Sequence, residues 1–235
     1  CESLFTCKKS EGIIFNYYAR GGGCGRNYFS DENAQKIDAL RQVMEQYKEH
    51  EATYICLLAS LLHSAHKVSN TASIYGAFLK ELKALAKEPL VFEPRIYPMV
   101  QIPCHVFCED ANMLIERIEG DILYLDPPYN HRQYGANYHL LNTIARYDGF
   151  TPKGKTGVRP YVSSRYCKGT TALHALEEMV RKAQFKTLVL SYNNEGLLPQ
   201  ETLSSMMRKY GRYTLFHTNI HALRRMHIMV KIQKL

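Results

Sequence analysis

Asp121-Ile122-Leu123-Tyr124-Leu125-Asp126-Pro127-Pro128-Tyr129 is the stretch on which both fold and chemistry turn. An apolar run between two aspartates predicts a buried strand over residues 121–126. Two prolines follow at once. Proline has no N–H and a fixed φ, so the chain must leave the sheet there, at the carboxyl edge where open α/β sheets bind ligands. The Asp126 carboxylate and the Pro127 carbonyl are then two acceptors beside the Tyr129 ring, with Pro128 stiffening the turn. Such a group suits a planar amine whose N–H bonds point at the acceptors while its ring stacks on the tyrosine. Held this way, the nitrogen exposes its lone pair to a methyl donor, for direct in-line transfer by positioning and electrostatics. An adenine N6 would first have to be flipped out of the duplex.

Working outward, the pattern after residue 104 is α/β. Strands are expected at about 105–108, 121–126, 187–192, 213–218 and 226–233, with helices at about 110–118, 171–183 and 200–210 between most of them, which argues a mostly parallel sheet. The short link at 219–222 permits only an antiparallel hairpin at the carboxyl end. The first part reads as helical. Ser30 is a good N-cap with Asp31 and Glu32 in the first turn, and Ile37, Leu40, Met44 and Tyr47 recur at helical spacing, giving a helix over 31–48. Two more helices are expected at 51–66 and 71–87. Two parts follow: a mostly helical segment, 1–104, with a target-recognition or DNA-contacting role, and a catalytic α/β part, 105–235. Glycines 21–23 and 25 read as a plain loop, because they lack the strand–glycine–helix context of a phosphate loop.

The chain carries 30 Lys and Arg against 22 Asp and Glu, a formal charge of +8. This suits a polyanionic partner, since clustered cations neutralise phosphates and release counterions. Seven scattered cysteines read as reduced thiols rather than a disulfide framework. Cys104, His105 and Cys108 lack a second ligand pair at a usable spacing, so no metal is expected. No apolar run is long enough to span a membrane, nothing at the N-terminus resembles a signal peptide, and a soluble cytoplasmic protein is expected. Between Asn130 and Lys168, Arg132, Lys155, Arg159 and Arg165 are interleaved with Tyr134, Tyr138 and Tyr161, a composition suited to gripping phosphates and a displaced base.

Residues 120–142, centred on Asp126-Pro127-Pro128-Tyr129-Asn130-His131-Arg132-Gln133-Tyr134, resemble the catalytic segment of Dam-like (alpha group) adenine-N6 DNA methyltransferases of the bacterial restriction-modification type. The likeness extends through Tyr28-Phe29-Ser30-Asp31-Glu32-Asn33, residues 70–80, Gly154-Lys155-Thr156-Gly157 and Ser191-Tyr192-Asn193-Asn194-Glu195-Gly196. The resemblance implies a Rossmann-like class I methyltransferase sheet, S-adenosylmethionine as donor and double-stranded DNA as substrate, with a separately encoded restriction endonuclease as cognate partner. It further implies Asp126, Pro127, Pro128 and Tyr129 as catalytic residues, Asp110 and Asp126 against the cofactor, and Asn130, Arg132, Tyr134, Lys155, Arg159 and Arg165 toward DNA. Read from its neighbours alone, Asp110 is a helix N-cap, which is compatible with the cofactor role. The family's N-terminal Phe-x-Gly-x-Gly cofactor loop and its strand are missing from this sequence, and residues 221–227 depart from a basic-aromatic ending. The donor side is therefore expected to be incomplete here, through missing residues or truncation. A catalytically inactive DNA-binding remnant, or methylation of an RNA base or a glutamine side chain, stand as the alternatives.

Overall fold

The computed structural model describes residues 7–72, 74–95, 102–220 and 225–233. They fall into two compact units: residues 1–102 with 134–162, and residues 103–133 with 163–235. The first unit thus takes in residues 134–162 as well as the N-terminal segment.

The first unit is built from α1 (Ile13–Tyr18), α2 (Asp31–Met44) continued by a 3-10 turn (Glu45–Tyr47), α3 (Glu51–Lys67), α4 (Ala84–Lys87), α6 (Tyr134–Asn137) and α7 (His139–Arg146). Its core gathers Tyr18, Tyr28, Phe29, Ile37, Leu40, Met44, Leu61, Leu140 and Ile144, all fully buried. Ser30 Oγ caps α2 by accepting from the N–H of Asn33, and Asp31 accepts from the Gly21 N–H at 2.8 Å. Two turns further on, buried Asp38 accepts from the N–H groups of Gly12, Ile14 and Phe15 and from the Tyr147 hydroxyl. The backbone groups of that trio would otherwise be the orphan donors at the start of α1.

The helix expected over 71–87 is reduced to α4, and the described residues of 71–83 form turns and coil instead. Asn70 is the reason. Its Nδ2 donates to Asn27 O and Leu79 O, and its Oδ1 accepts the Lys83 N–H. Side-chain bonds of this kind compete directly with the helical ladder.

His139 lies fully buried in this core. Its Nε2 is 2.8 Å from Tyr75 O, an atom that can only accept, so the ring proton sits on Nε2. Burial, reinforced by the nearby Arg26 and Arg159 guanidiniums, pushes the imidazole pKa from 6.5 down to about 4. The unfolded chain therefore takes up a proton near pH 6.5 that the folded chain refuses until about pH 4. Stability from this group is complete above pH 6.5 and is lost as the pH falls, by roughly 3 kcal/mol at pH 4. Urea melts at pH 7 and pH 4.5 should show this loss for the wild type and a much smaller one for His139→Gln; an equal loss in both proteins would assign it to another group.

The second unit contains α5 (Ala111–Leu114), β1 (Glu119–Leu125), a 3-10 turn (Arg165–Cys167), α8 (Gly169–Lys182), β2 (Gln184–Asn193), α9 (Gln200–Arg208), β3 (Arg212–Ile220) and β4 (Arg225–Gln233). The strand order is β1-β2-β4-β3. β1 and β2 are parallel, while β4 pairs antiparallel with both β2 and β3. The carboxyl-terminal hairpin is as expected. The sheet is mixed rather than mostly parallel among the described residues, because that hairpin folds back and inserts β4 beside β2.

Register explains which residues meet. Leu123 and Leu125 stand opposite Leu188 and Leu190, which stand in turn beside Ile232 and Val230. This face packs on Leu176, Met179 and Val180 of α8 and on Leu203, Met206 and Met207 of α9. β1 is an edge strand among the described residues, and its other face leaves Ile122 67% and Tyr124 58% exposed, where the sequence predicts a buried strand. The strand expected at 105–108 and the long helix at 110–118 are also corrected. Residues 103–108 form exposed coil, because no described strand offers them a ladder, and only α5 is helical thereafter. Residues 221–224, between β3 and β4, lie outside the described residues. No helix among the described residues is long and apolar enough to cross a membrane.

Candidate active site

Asp126 follows the last residue of β1, and the parallel register places it beside Ser191 at the matching end of β2. Ser191 Oγ donates to Asp126 Oδ1 at 3.3 Å. Pro127 and Pro128 turn the chain out of the ladder, and Tyr129 packs edge-on against Tyr192, with ring centroids 6.2 Å apart at 75°. Tyr129 O accepts the Leu197 N–H at 2.8 Å, which ties the tetrapeptide to the loop that leaves β2.

The next residues are clamped as well. Asn130 Oδ1 accepts the Arg132 N–H in a tight side-chain turn. Gln133 and Ser164 exchange hydrogen bonds through Gln133 Oε1 and the Ser164 N–H, and Cys167 Sγ donates to Arg132 O. The outcome is a cleft of about 280 Å³ lined by Tyr129, Asn130, His131, Arg132, Asn193 and Glu195.

Ser191, Asn193 and Glu195 were not among the expected site residues. Their signal lies in fold context rather than in any motif: Ser191 and Asn193 belong to the end of an apolar strand, and parallel strands bring their carboxyl ends together, so these residues meet Asp126 only once β2 pairs beside β1.

Asp110 caps α5, accepting the Asn112 N–H at 2.9 Å, and is exposed. No described strand lies against the free edge of β1. The described residues thus fit the amine side of a methyl-transfer site but do not enclose a donor.

The expected DNA-contacting residues divide. Arg165 points both terminal nitrogens at Glu178 Oε2, each at 3.1 Å. In the first unit, Arg159 is 6% exposed, pairs with Asp148 at 2.6 Å and stacks over Phe150. Both guanidiniums are therefore committed within their own units. Lys155, by contrast, is exposed at the tip of a tight hairpin closed by the bridge between Lys153 and Val158. Gly154 and Gly157 take φ of +68° and +69° in that turn, conformations costly for other residues. Arg26 Nη2 donates to Gly154 O, Tyr28 to Thr156 O and Tyr18 to Gly157 O, so the hairpin's carbonyls face the core and its lysines face solvent. Tyr134 and Tyr138, also exposed, meet edge to face at 5.8 Å.

No solved structure matches this chain. Among characterised proteins it is 52% identical over 212 residues to the type II methyltransferase M.NlaIII of Neisseria lactamica, covering 88% of this chain and 64% of that protein. It is 40% identical to the type II methyltransferase M.FokI of Planomicrobium okeanokoites, over 86% of this chain and 32% of that one. It is 38% identical to the type II methyltransferase M.CviAII of Paramecium bursaria Chlorella virus 1, over 85% and 60% respectively. The chain thus spans less than two thirds of the length of each of these relatives. Residues 8–206, which include the whole of the tetrapeptide, the β2 exit and both units' helices through most of α9, match the D12 class N6 adenine-specific DNA methyltransferases, and the chain belongs to that family.

Proposed function

We propose that this protein methylates adenine N6 in double-stranded DNA, acting on a base flipped out of the helix. The observation that carries the reading is the placement of Asp126 at the carboxyl end of β1, followed at once by Pro127 and Pro128 and by Tyr129, which lines a cleft. S-adenosylmethionine, the donor implied by the family, supplies the methyl group when bound, with Asp110 and Asp126 as the residues nearest to that role.

The chain's own residues do the rest. Asp126 and the Pro127 carbonyl accept hydrogen bonds from the two amine N–H groups, orient the nitrogen lone pair out of the base plane and stabilise the positive charge that develops on nitrogen as it forms its new bond, until one N–H proton is shed to the carboxylate or to solvent. Pro128 fixes the turn, and Tyr129 stacks on the base. Asn130 and Arg132 at the cleft, and Tyr134 and Lys155 on exposed surfaces of the helical unit, are assigned to DNA, where lysine and arginine meet phosphates and tyrosine meets an unstacked base. The internal pairs of Arg159 and Arg165 argue that these two first support structure. The relatives named as type II methyltransferases favour a cognate restriction endonuclease as partner, and a DNA substrate places the protein in the cytoplasm.

Incubation of the full-length protein with tritiated S-adenosylmethionine and unmethylated duplex DNA, followed by digestion to nucleosides, should put label in N6-methyladenosine. Label confined to RNA or to protein would overturn the reading, and DNA binding without transfer would favour the inactive remnant.

A further inference from the structure

We propose that Asn193 donates a hydrogen bond to the ring nitrogen next to the target amine and so seats the adenine in the cleft. The inference rests on the adenine-methylation reading above. Asn193 ends β2, and strand alternation puts its side chain on the same face as Ser191, whose hydroxyl touches Asp126. The two-residue step is about 6.6 Å along the strand. Two hydrogen bonds of about 2.9 Å each, fanning from neighbouring atoms on one base edge, bridge such a gap. One planar base can thus meet Asp126 with its amine and Asn193 with the adjacent ring nitrogen.

Chemistry fixes how the amide is turned. Asn193 Oδ1 lies 2.7 Å from the Glu195 N–H, and since a backbone N–H only donates, the oxygen must be the atom that sits there. Nδ2 makes no hydrogen bond among the described residues, although Asn193 is only 6% exposed and lines the cleft. A nearly buried amide with unused donors is a recognition group waiting for an acceptor. Adenine provides one on either side of N6: N7 on the groove edge and N1 on the pairing edge, the edge by which flipped bases are commonly read. Guanine carries a hydrogen on N1 and would set donor against donor there.

The test uses full-length protein, with the target adenine first mapped by labelled transfer and then replaced by 1-deazaadenine or 7-deazaadenine. Each analogue keeps the amine and removes one ring acceptor. Wild type should lose about tenfold or more in kcat/KM on one analogue, whichever nitrogen is read, and stay near its adenine value on the other. Asn193→Asp keeps the oxygen on the Glu195 N–H and the side-chain volume but replaces the donor by an acceptor. That variant should lose a similar factor on adenine and show no further loss on the discriminating analogue. Wild-type activity within about twofold on both analogues, or an analogue penalty that persists in Asn193→Asp, overturns the assignment while leaving adenine methylation intact. Absence of label in any adenine duplex overturns the methylation reading and this inference together. Should the variant fail to fold, the wild-type comparison of the two analogues decides alone.

Discussion

Asp126→Ala should lower kcat by a factor on the order of 10³ or more, the scale seen when a preorganised group facing transition-state charge is removed, while DNA affinity stays within a few fold. The asymmetry follows from where Asp126 sits. It lies just past the last ladder residue of β1, is exposed, and is held by a single neighbouring hydroxyl, Ser191 Oγ at 3.3 Å. Loss of that one contact costs the fold no more than about 1 kcal/mol, too little to unfold the unit. Affinity for duplex DNA generally rests on contacts from cations to phosphates, which a carboxylate does not make. The carboxylate's effect is instead concentrated on the amine, which carries almost no charge before methyl transfer and a positive charge from the transfer until it sheds a proton. Asp126→Asn separates the two parts of that effect: it retains an acceptor oxygen but drops the negative charge, and should fall between wild type and alanine. The check is single-turnover transfer with bound DNA, alongside a filter-binding or anisotropy measurement of DNA affinity. Wild-type turnover in the alanine variant would remove Asp126 from the site; a parallel collapse of DNA affinity would make it a folding residue.

The tetrapeptide was legible in the sequence because its meaning is local. An apolar run, an aspartate and two prolines specify a strand, its end and a rigid exit, whatever the rest of the chain does. Helices α2, α3, α8 and α9 were legible for the same reason, as caps and apolar periodicity lie within one segment. What failed depends on distant partners. Residues 71–83 have the composition of a helix, but Asn70 and Asn27 hold their backbone through side-chain bonds to Leu79, Lys80 and Lys83, and such bonds have no period to detect. β1 was read as buried from its apolar residues, yet burial needs neighbours on both faces, and only Leu123 and Leu125 find them. Asn193 and Glu195 join the cleft only because β2 lies parallel to β1, a pairing that no spacing announces.

The family-like segment around Ser30 shows a further limit. A resemblance marks residues as kept, without saying whether chemistry or folding keeps them. Asn33 accepts the Leu90 N–H and donates to Glu88 O, and Asp38 collects the donors that begin α1, so these side chains help to build the first unit.

Arg41 makes that structural reading testable, and Arg41→Ala should destabilise the first unit by about 3–5 kcal/mol. The side chain is 1% exposed. Nε donates to Ile144 O at 2.8 Å and Nη2 to Ala145 O at 3.4 Å and to the Tyr54 hydroxyl at 3.1 Å, while Nη1 pairs with Glu45 at 2.9 Å. The guanidinium also lies over the Tyr54 and Tyr147 rings. The ion pair is the smaller part of the effect, because Glu45 is 38% exposed and water can replace its partner. The larger part is the end of α7. Its last carbonyls have no intrahelical donors, Tyr147 turns the chain away with φ of +48°, and removing Arg41 leaves a buried helix terminus without its cation and two carbonyls short of a donor. Arg41→Lys should recover little, since one ammonium cannot reproduce the planar fork that reaches two carbonyls, a hydroxyl and a carboxylate at once. Glu45→Ala, which removes only the ion pair, should cost less than about 1 kcal/mol. Urea melts of the three variants order these contributions. If Arg41→Ala and Glu45→Ala were equally mild, α7 would not depend on Arg41 and the anchoring of residues 139–146 to α2 would have to lie in the apolar contacts of Leu140 and Ile144 alone.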